Sequence, residues 1–328
     1  MTKRTRYFVF GSVTVLLVGL CTGLVAYYTG MPMGAFGQTD GVAELQYVPA
    51  NAAVVAYADV QSVMRSELRQ KLHAAMNDPS EDGKAEFQRQ TGIDIEHDID
   101  HIVAYMEQGA SEDHAGMVLA AGRFDVGRLE SLARQHEGVV EDYHGKRLIS
   151  KADEGKNGTT HSMTVAFLAP GLVAVGQTEA VKRAIDRRGG ENVLANKELM
   201  DLIKDIDDSN AWAVGRFDEL VNQAKLPAGV ASQIPAVKLF SASGHINGGI
   251  SGLIRAETRD EQAGQNLRDV VQGFLALAKM QSSSQPELQA VANSLQLSGT
   301  GKTVALSFQL PSSLIDDLAA AKRKAAED

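Results

Sequence analysis

The densest run of ionisable side chains in the chain is Asp94-Ile95-Glu96-His97-Asp98-Ile99-Asp100-His101. Carboxylates and imidazoles spaced this closely suggest a metal site. Calcium needs several oxygens converging on one point. An EF-hand loop starting at Asp94 would require glycine at residue 99 and glutamate at residue 105, where Ile99 and Tyr105 stand. Zinc would use His97 and His101, which share a face if the run is helical, with Asp94 and Asp98 as nearby carboxylates. The run lacks the glutamate of the His-Glu-x-x-His pattern, and His114 is the nearest further histidine. The same residues also read as a solvated turn before a strand at Ile102, with Ile93, Ile95 and Ile99 pointing inward. A metal-dependent hydrolase built on His97, His101, Asp94 and Asp98 therefore stands as an alternative reading, not the leading one.

Other candidate motifs lose their chemistry on inspection. Ser298-Gly299-Thr300-Gly301-Lys302-Thr303 resembles the end of a phosphate-binding loop, but Gln296 stands where the first glycine belongs. A strand rather than a helix follows the lysine, so the backbone amides would not converge on a phosphate. Ser241-Ala242-Ser243-Gly244-His245 lacks the Gly-x-Ser-x-Gly elbow of a serine nucleophile. His73, His136, His144 and His161 are scattered in polar contexts. No cofactor pattern is found.

The N-terminus sets the setting in which any such chemistry would occur. Lys3, Arg4 and Arg6 precede an uncharged run from Tyr7 to Tyr28, rich in apolar residues such as Leu16, Leu17, Leu20, Leu24 and Tyr27. About 20 apolar residues span a bilayer as a helix, whereas the core of a cleaved signal is shorter. Ala35-Phe36-Gly37 is a weak cleavage site lying well beyond the run. Leu20 before Cys21 does not suit lipid modification. No basic residue follows the run until Arg65, so the positive-inside bias leaves residues 1–6 in the cytoplasm and the bulk outside. Without the three basic residues of the tip, 29 basic side chains face 41 acidic ones, a balance of −12. Such a surface repels nucleic acid and anionic head groups. The single cysteine excludes an intrachain disulfide.

Residues 29–44 are Gly-rich and aperiodic and read as a linker. Beyond it, a strand at Val54–Ala58 precedes a helix with Val60, Val63, Met64, Leu68, Leu72 and Met76 on one face. Strands are expected at Ile102–Met106, Met117–Phe124, Val139–Tyr143, Lys146–Lys151, Met163–Leu168 and Leu172–Gly176, with helices capped by Asp125 and Thr178. Further on, a helix at Lys197–Ile206 and a strand at Ala211–Phe217 lead to a helix capped by Asp218. Strands follow at Lys238–His245 and Ile250–Thr258, then a helix over Arg259–Gln281, a hairpin of Leu295–Leu297 with Thr303–Leu310, and a last helix from Pro311 to about Lys324.

This order gives an α+β class. An N-terminal transmembrane helix over 7–28 leads to two similar lobes, 45–190 and 191–328, of antiparallel sheet with packed helices. Each lobe reads strand-helix-hairpin-helix-hairpin-helix. Gly122-Arg123-Phe124-Asp125 recurs as Gly215-Arg216-Phe217-Asp218, which raises a duplication, although the match falls at a different place in each repeat.

Three stretches resemble a known group: Tyr47-Val48-Pro49-Ala50-Asn51-Ala52-Ala53-Val54-Val55-Ala56-Tyr57, Thr91 through Asp100, and Trp212-Ala213-Val214-Gly215. They are similar to uncharacterised membrane-anchored proteins of acidobacteria and related bacteria, over most of residues 45–310. The resemblance implies an anchor in the inner membrane and a repetitive α/β domain on its outer, periplasmic side. It brings no functional residues with it. The leading expectation is a non-catalytic envelope protein whose ectodomain binds a protein partner or serves as an accessory subunit. A small apolar ligand held between the lobes is a further alternative.

Overall fold

The structure, a computed structural model, describes residues 43–66, 81–108, 116–154, 160–187, 189–206, 209–219, 236–246, 249–282 and 286–313. The expected membrane span at 7–28, the linker before residue 43, the helix residues beyond Ser66, and the last helix beyond Ser313 lie outside them. Among the described residues no helix is long and apolar enough to cross a membrane.

These residues divide into two compact units, one holding 43–64 and 81–215 and the other 65–66 and 216–313. The first opens with a 3-10 turn, Glu44–Tyr47, then β1 (Ala52–Asp59) and α1 (Val60–Met64). Next come α2 (Glu81–Thr91), α3 (Ile95–Asp98), β2 (Ile99–Glu107), β3 (Gly116–Gly122) and α4 (Val126–Gln135). Strands β4 (Val139–Tyr143), β5 (Lys146–Glu154), β6 (Thr160–Ala169) and β7 (Leu172–Gln177) precede α5 (Thr178–Asp186), α6 (Lys197–Lys204) and β8 (Ala211–Arg216). The strands pair antiparallel throughout, in the order β8-β1-β2-β3-β7-β6-β5-β4.

The core of this unit lies on one face of its central strands. Alternation along each strand sends Val55 and Tyr57, Val103 and Tyr105, Met117 and Leu119, and Trp212 and Val214 into one cluster. Val181, Ala184 and Ile185 of α5 and Leu199 of α6 close over it, together with Leu45, Tyr47 and Val48 from the 3-10 turn. Val48, Val55, Val103, Leu119 and Leu148 are wholly buried. The turn is pinned by backbone as well: Val193 N donates to Val48 O at 2.9 Å, and Asn196 Nδ2 to Ala50 O at 2.8 Å.

The second unit contains β9 (Val237–Ile246), β10 (Gly249–Thr258), α7 (Glu261–Ser282), α8 (Pro286–Ser294), β11 (Gln296–Ser298) and β12 (Thr303–Pro311). Its strand order is β11-β12-β10-β9, again antiparallel. Thr258 Oγ1 donates to Lys302 O at 2.9 Å, and Arg268 Nη1 to Gly301 O at 3.0 Å, tying the start of α7 to the β11–β12 hairpin.

The expectation of two similar, duplicated lobes is overturned. Eight strands belong to one unit and four to the other, in different orders. Strand β8, expected to open the second lobe, pairs with β1 of the first, with Trp212 opposite Tyr57. The repeated Gly-Arg-Phe-Asp marks a generic strand end. After β3 it places Asp125 to accept from Arg128 N at 3.0 Å and cap α4. At the end of β8 it follows a strand with a different partner. Two smaller corrections concern caps and strand starts. Gln177, not Thr178, occupies the cap position of α5. The strand after the acidic run begins at Ile99, not Ile102.

Candidate functional site

The acidic run does not stay together. Asp94 is extended and caps α3, its carboxylate accepting from Glu96 N at 2.9 Å. Asp98 Oδ2 accepts from Asp94 N at 2.8 Å, and Oδ1 meets Arg123 Nη2 at 3.2 Å. Both aspartates are thus occupied in closing a tight turn. His97 stands in solvent, its Nδ1 2.9 Å from Asp94 Oδ2. Burial raises the Asp94 carboxyl, but its hydrogen bonds to His97 and Glu96 N outweigh that and leave it below the ordinary carboxylate range.

His101 sits elsewhere, because α3 ends at Asp98 and the chain has become a strand. A strand sends neighbouring side chains to opposite faces, so the shared face expected for His97 and His101 is lost. His101 points under the 3-10 turn. Its Nε2 lies 3.3 Å from Glu44 Oε1, an ion-pair contact rather than an aligned hydrogen bond, with side chains 16 % and 10 % exposed. The imidazole tilts against Tyr57 at 5.6 Å between centroids, and Tyr57 stacks on Trp212 at 5.7 Å. Among the described residues no group of three or more histidine, cysteine, aspartate or glutamate side chains could hold a metal. His114 lies outside them.

The Glu44–His101 pair is an acid–base contact in the unit's interior. The Glu44 carboxylate raises the affinity of His101 for its proton. Burial opposes it, and Asp100 and Asp59 reinforce it at longer range. Asp100 accepts from Gln61 Nε2, and Asp59 caps α1 by accepting from Ser62 N at 2.9 Å. Glu44 Oε2 has no hydrogen-bond partner among the described residues. Tyr105 is also buried, 3 % exposed. Burial and the nearby Glu107 push its hydroxyl up to about 12, against Arg187 and Arg183.

The remaining sequence candidates resolve simply. Gly299 (φ +96°) and Gly301 (φ +56°) shape the turn between β11 and β12, where Thr303 N returns to Thr300 O at 3.0 Å. That is a hairpin, not a phosphate cradle. Ser241, Ser243 and His245 lie along β9. His144 Nδ1 meets Asp186 Oδ1 at 3.2 Å on the exposed β4–β5 turn, stacked on Tyr143. His136 follows α4, and His73 lies outside the described residues.

The surface of the second unit offers what the acidic run does not. Helical spacing predicts one inward apolar face on α7 made of Leu267, Val270, Val271, Phe274, Leu275 and Ala278; of these, Leu267, Val271, Leu275 and Ala278 are half-buried. The helix carries Val270, Phe274 and Leu277 outward, 44 %, 63 % and 39 % exposed. Between α7 and β11 runs an open groove of about 610 Å³, whose walls include Arg268, Leu275, Lys279, Leu295 and Leu297. Val270 and Phe274, expected to face inward, instead form this second apolar face with Leu277. The i, i+4, i+7 spacing of Val270, Phe274 and Leu277 was its only trace.

No family model, no curated protein and no solved structure matches the chain.

Proposed function

We propose that the protein is a single-pass, membrane-tethered envelope protein whose acidic outer domain binds a protein partner. The tether is the uncharged run 7–28 with Lys3, Arg4 and Arg6 on its cytoplasmic side. The observation that carries the binding role is the exposed stripe of Val270, Phe274 and Leu277 on α7. Single exposed apolar residues are ordinary. Three aligned on one helix face are a patch of the kind that marks interaction surfaces. The balance of −12 outside the anchor favours a partner that is not anionic overall and disfavours nucleic acid.

Site-specific photo-crosslinking in native membranes tests the reading. A photoreactive phenylalanine analogue at residue 274 should yield a discrete adduct, and Phe274→Asp elsewhere in the same surface assay should reduce co-purification. A reporter fused after residue 43 should be active only outside the cytoplasm. Absence of any adduct at 274, together with a cytoplasmic reporter, would overturn it.

A further inference from the structure

Strand β11 is three residues long and is the outermost of its unit, pairing among the described residues only with β12. An edge strand presents a row of backbone donors and acceptors to solvent, and proteins commonly protect such edges with charge. Here the edge is Gln296, Leu297 and Ser298, with no charge on it. The groove beside it is equally distinctive in sign. Among the described residues its walls hold two cations, Arg268 and Lys279, and no carboxylate, in a chain with a net charge of −9.

The cations are placed, not merely present. Arg268 Nη1 donates to Gly301 O at 3.0 Å and Thr303 O at 3.2 Å, while Nη2 reaches Gln265 Oε1 at 3.2 Å. The guanidinium is therefore held against the hairpin at one end of the groove. Lys279 stands three helical turns further along α7, about 16 Å away at helical rise. Leu275 lies between them, facing Leu295 and Leu297 across the groove. An extended chain advances roughly 3.4 Å per residue, so same-face residues i and i+4 are about 14 Å apart. Long side chains cover the difference.

We propose that this groove takes an extended segment of the partner protein, added as a strand to β11, with the pattern acidic-x-apolar-x-acidic. The two carboxylates meet Arg268 and Lys279, and the central apolar side chain covers Leu275 and Leu297. Main-chain pairing supplies affinity, and alternate side chains supply selection, as in other strand-addition modes. The assignment rests on the reading of this domain as a protein-binding one.

The test uses the full chain in detergent micelles and the labelled peptide acetyl-Ser-Asp-Ser-Leu-Ser-Asp-Ser-amide, read by fluorescence anisotropy. Saturable binding is expected, weakening as salt rises. Lys279→Glu, at an exposed helix position, should lower affinity about tenfold, as loss of one charge-assisted contact does. Of the two peptides with a single Asp replaced by Lys, one should restore binding to Lys279→Glu, and which one does so reports strand direction. N-methylation of alternate peptide amides should abolish binding. Equal binding of an all-lysine peptide, indifference to Lys279→Glu, or no saturable binding overturns the proposal. So does a gain in affinity on truncation after Ser313, which would make the chain's own tail the occupant, or a peptide-sensitive dimer, which would make it a second copy. Peptide failure with a persistent adduct at residue 274 sinks this proposal alone and leaves the protein-binding reading intact.

Discussion

Replacing His101 by phenylalanine isolates the contribution of the buried acid–histidine pair. The ring volume and the contact with Tyr57 are kept, while the charge facing Glu44 is removed. Glu44 is 8 % exposed and its Oε2 has no hydrogen-bond partner among the described residues, so the variant strands a carboxylate in the interior. Breaking a buried ion pair from one side costs about 3 kcal/mol or more. The low end applies here, because the contact is not an aligned hydrogen bond. Adding Glu44→Gln to His101→Phe should recover most of the loss, since no uncompensated charge remains.

The pH dependence has a definite sign. The folded-state affinity of His101 for its proton is raised above the unfolded value, chiefly by Glu44. The stabilisation is therefore fully present below the unfolded pKa of about 6.5. It is lost as pH rises through the higher folded pKa, because over that window the native state binds more protons than the unfolded one. The slope for one such group cannot exceed about 1.4 kcal/mol per pH unit. Trp212 is the chain's single tryptophan and stacks on Tyr57, so its fluorescence reports this unit alone. Guanidinium unfolding of the full chain, followed at Trp212 between pH 5.5 and 8.5, should show wild type losing its advantage over His101→Phe as pH rises. An advantage that is flat or grows with pH refutes the reasoning, as does an imidazole that titrates below the ordinary value by NMR.

Two glycines on α7 should respond in opposite directions. Gly264→Ala removes a helical glycine, worth up to about 1 kcal/mol, yet its Cβ would strike the Gly301 carbonyl oxygen, so circular dichroism should show a net loss of stability. Gly273→Ala meets nothing within 4 Å and should gain about 0.5–1 kcal/mol by the same measurement. In the anchor, Leu16→Arg with Leu20→Arg should cost about 5 kcal/mol or more of insertion free energy, moving the protein from the membrane to the soluble fraction.

What the sequence disclosed was local. Asp125 capping α4, the β4–β5 turn with Gly145 at φ +76°, and the β6–β7 turn at Gly171 with φ +75° were all legible, because each depends on residues a few positions apart. Helix α8 was overlooked although Pro286 is a usual first helical residue. Few large apolar side chains mark its face. The neighbours of β1 were not legible. Ala52–Asp59 is buried on nearly every position, so its composition names no preferred edge. Its partners β2 and β8 come from distant parts of the chain. Glu44 was read as linker for the same reason, since its partner His101 arrives only once β2 has formed.

The two charge patterns of the chain therefore play different parts. The acidic run 94–101, richest in the residue types of catalysis, spends its carboxylates on turn closure and on Arg123, and its one inward histidine on holding the entry turn to the sheet. The cations that could recognise something external lie far along the sequence, in residues that carry no motif. Arg268 and Lys279 are set apart by eleven positions along one side of the helix. Their spacing acquires meaning only when β11 supplies an edge beside them. If the domain acts by binding, substitutions across 94–101 should shift stability more than partner capture, whereas Lys279→Glu should shift capture and leave the unfolding midpoint at Trp212 unchanged. The reverse result, capture lost with His97→Ala and untouched by Lys279→Glu, would move the working surface back to the acidic run.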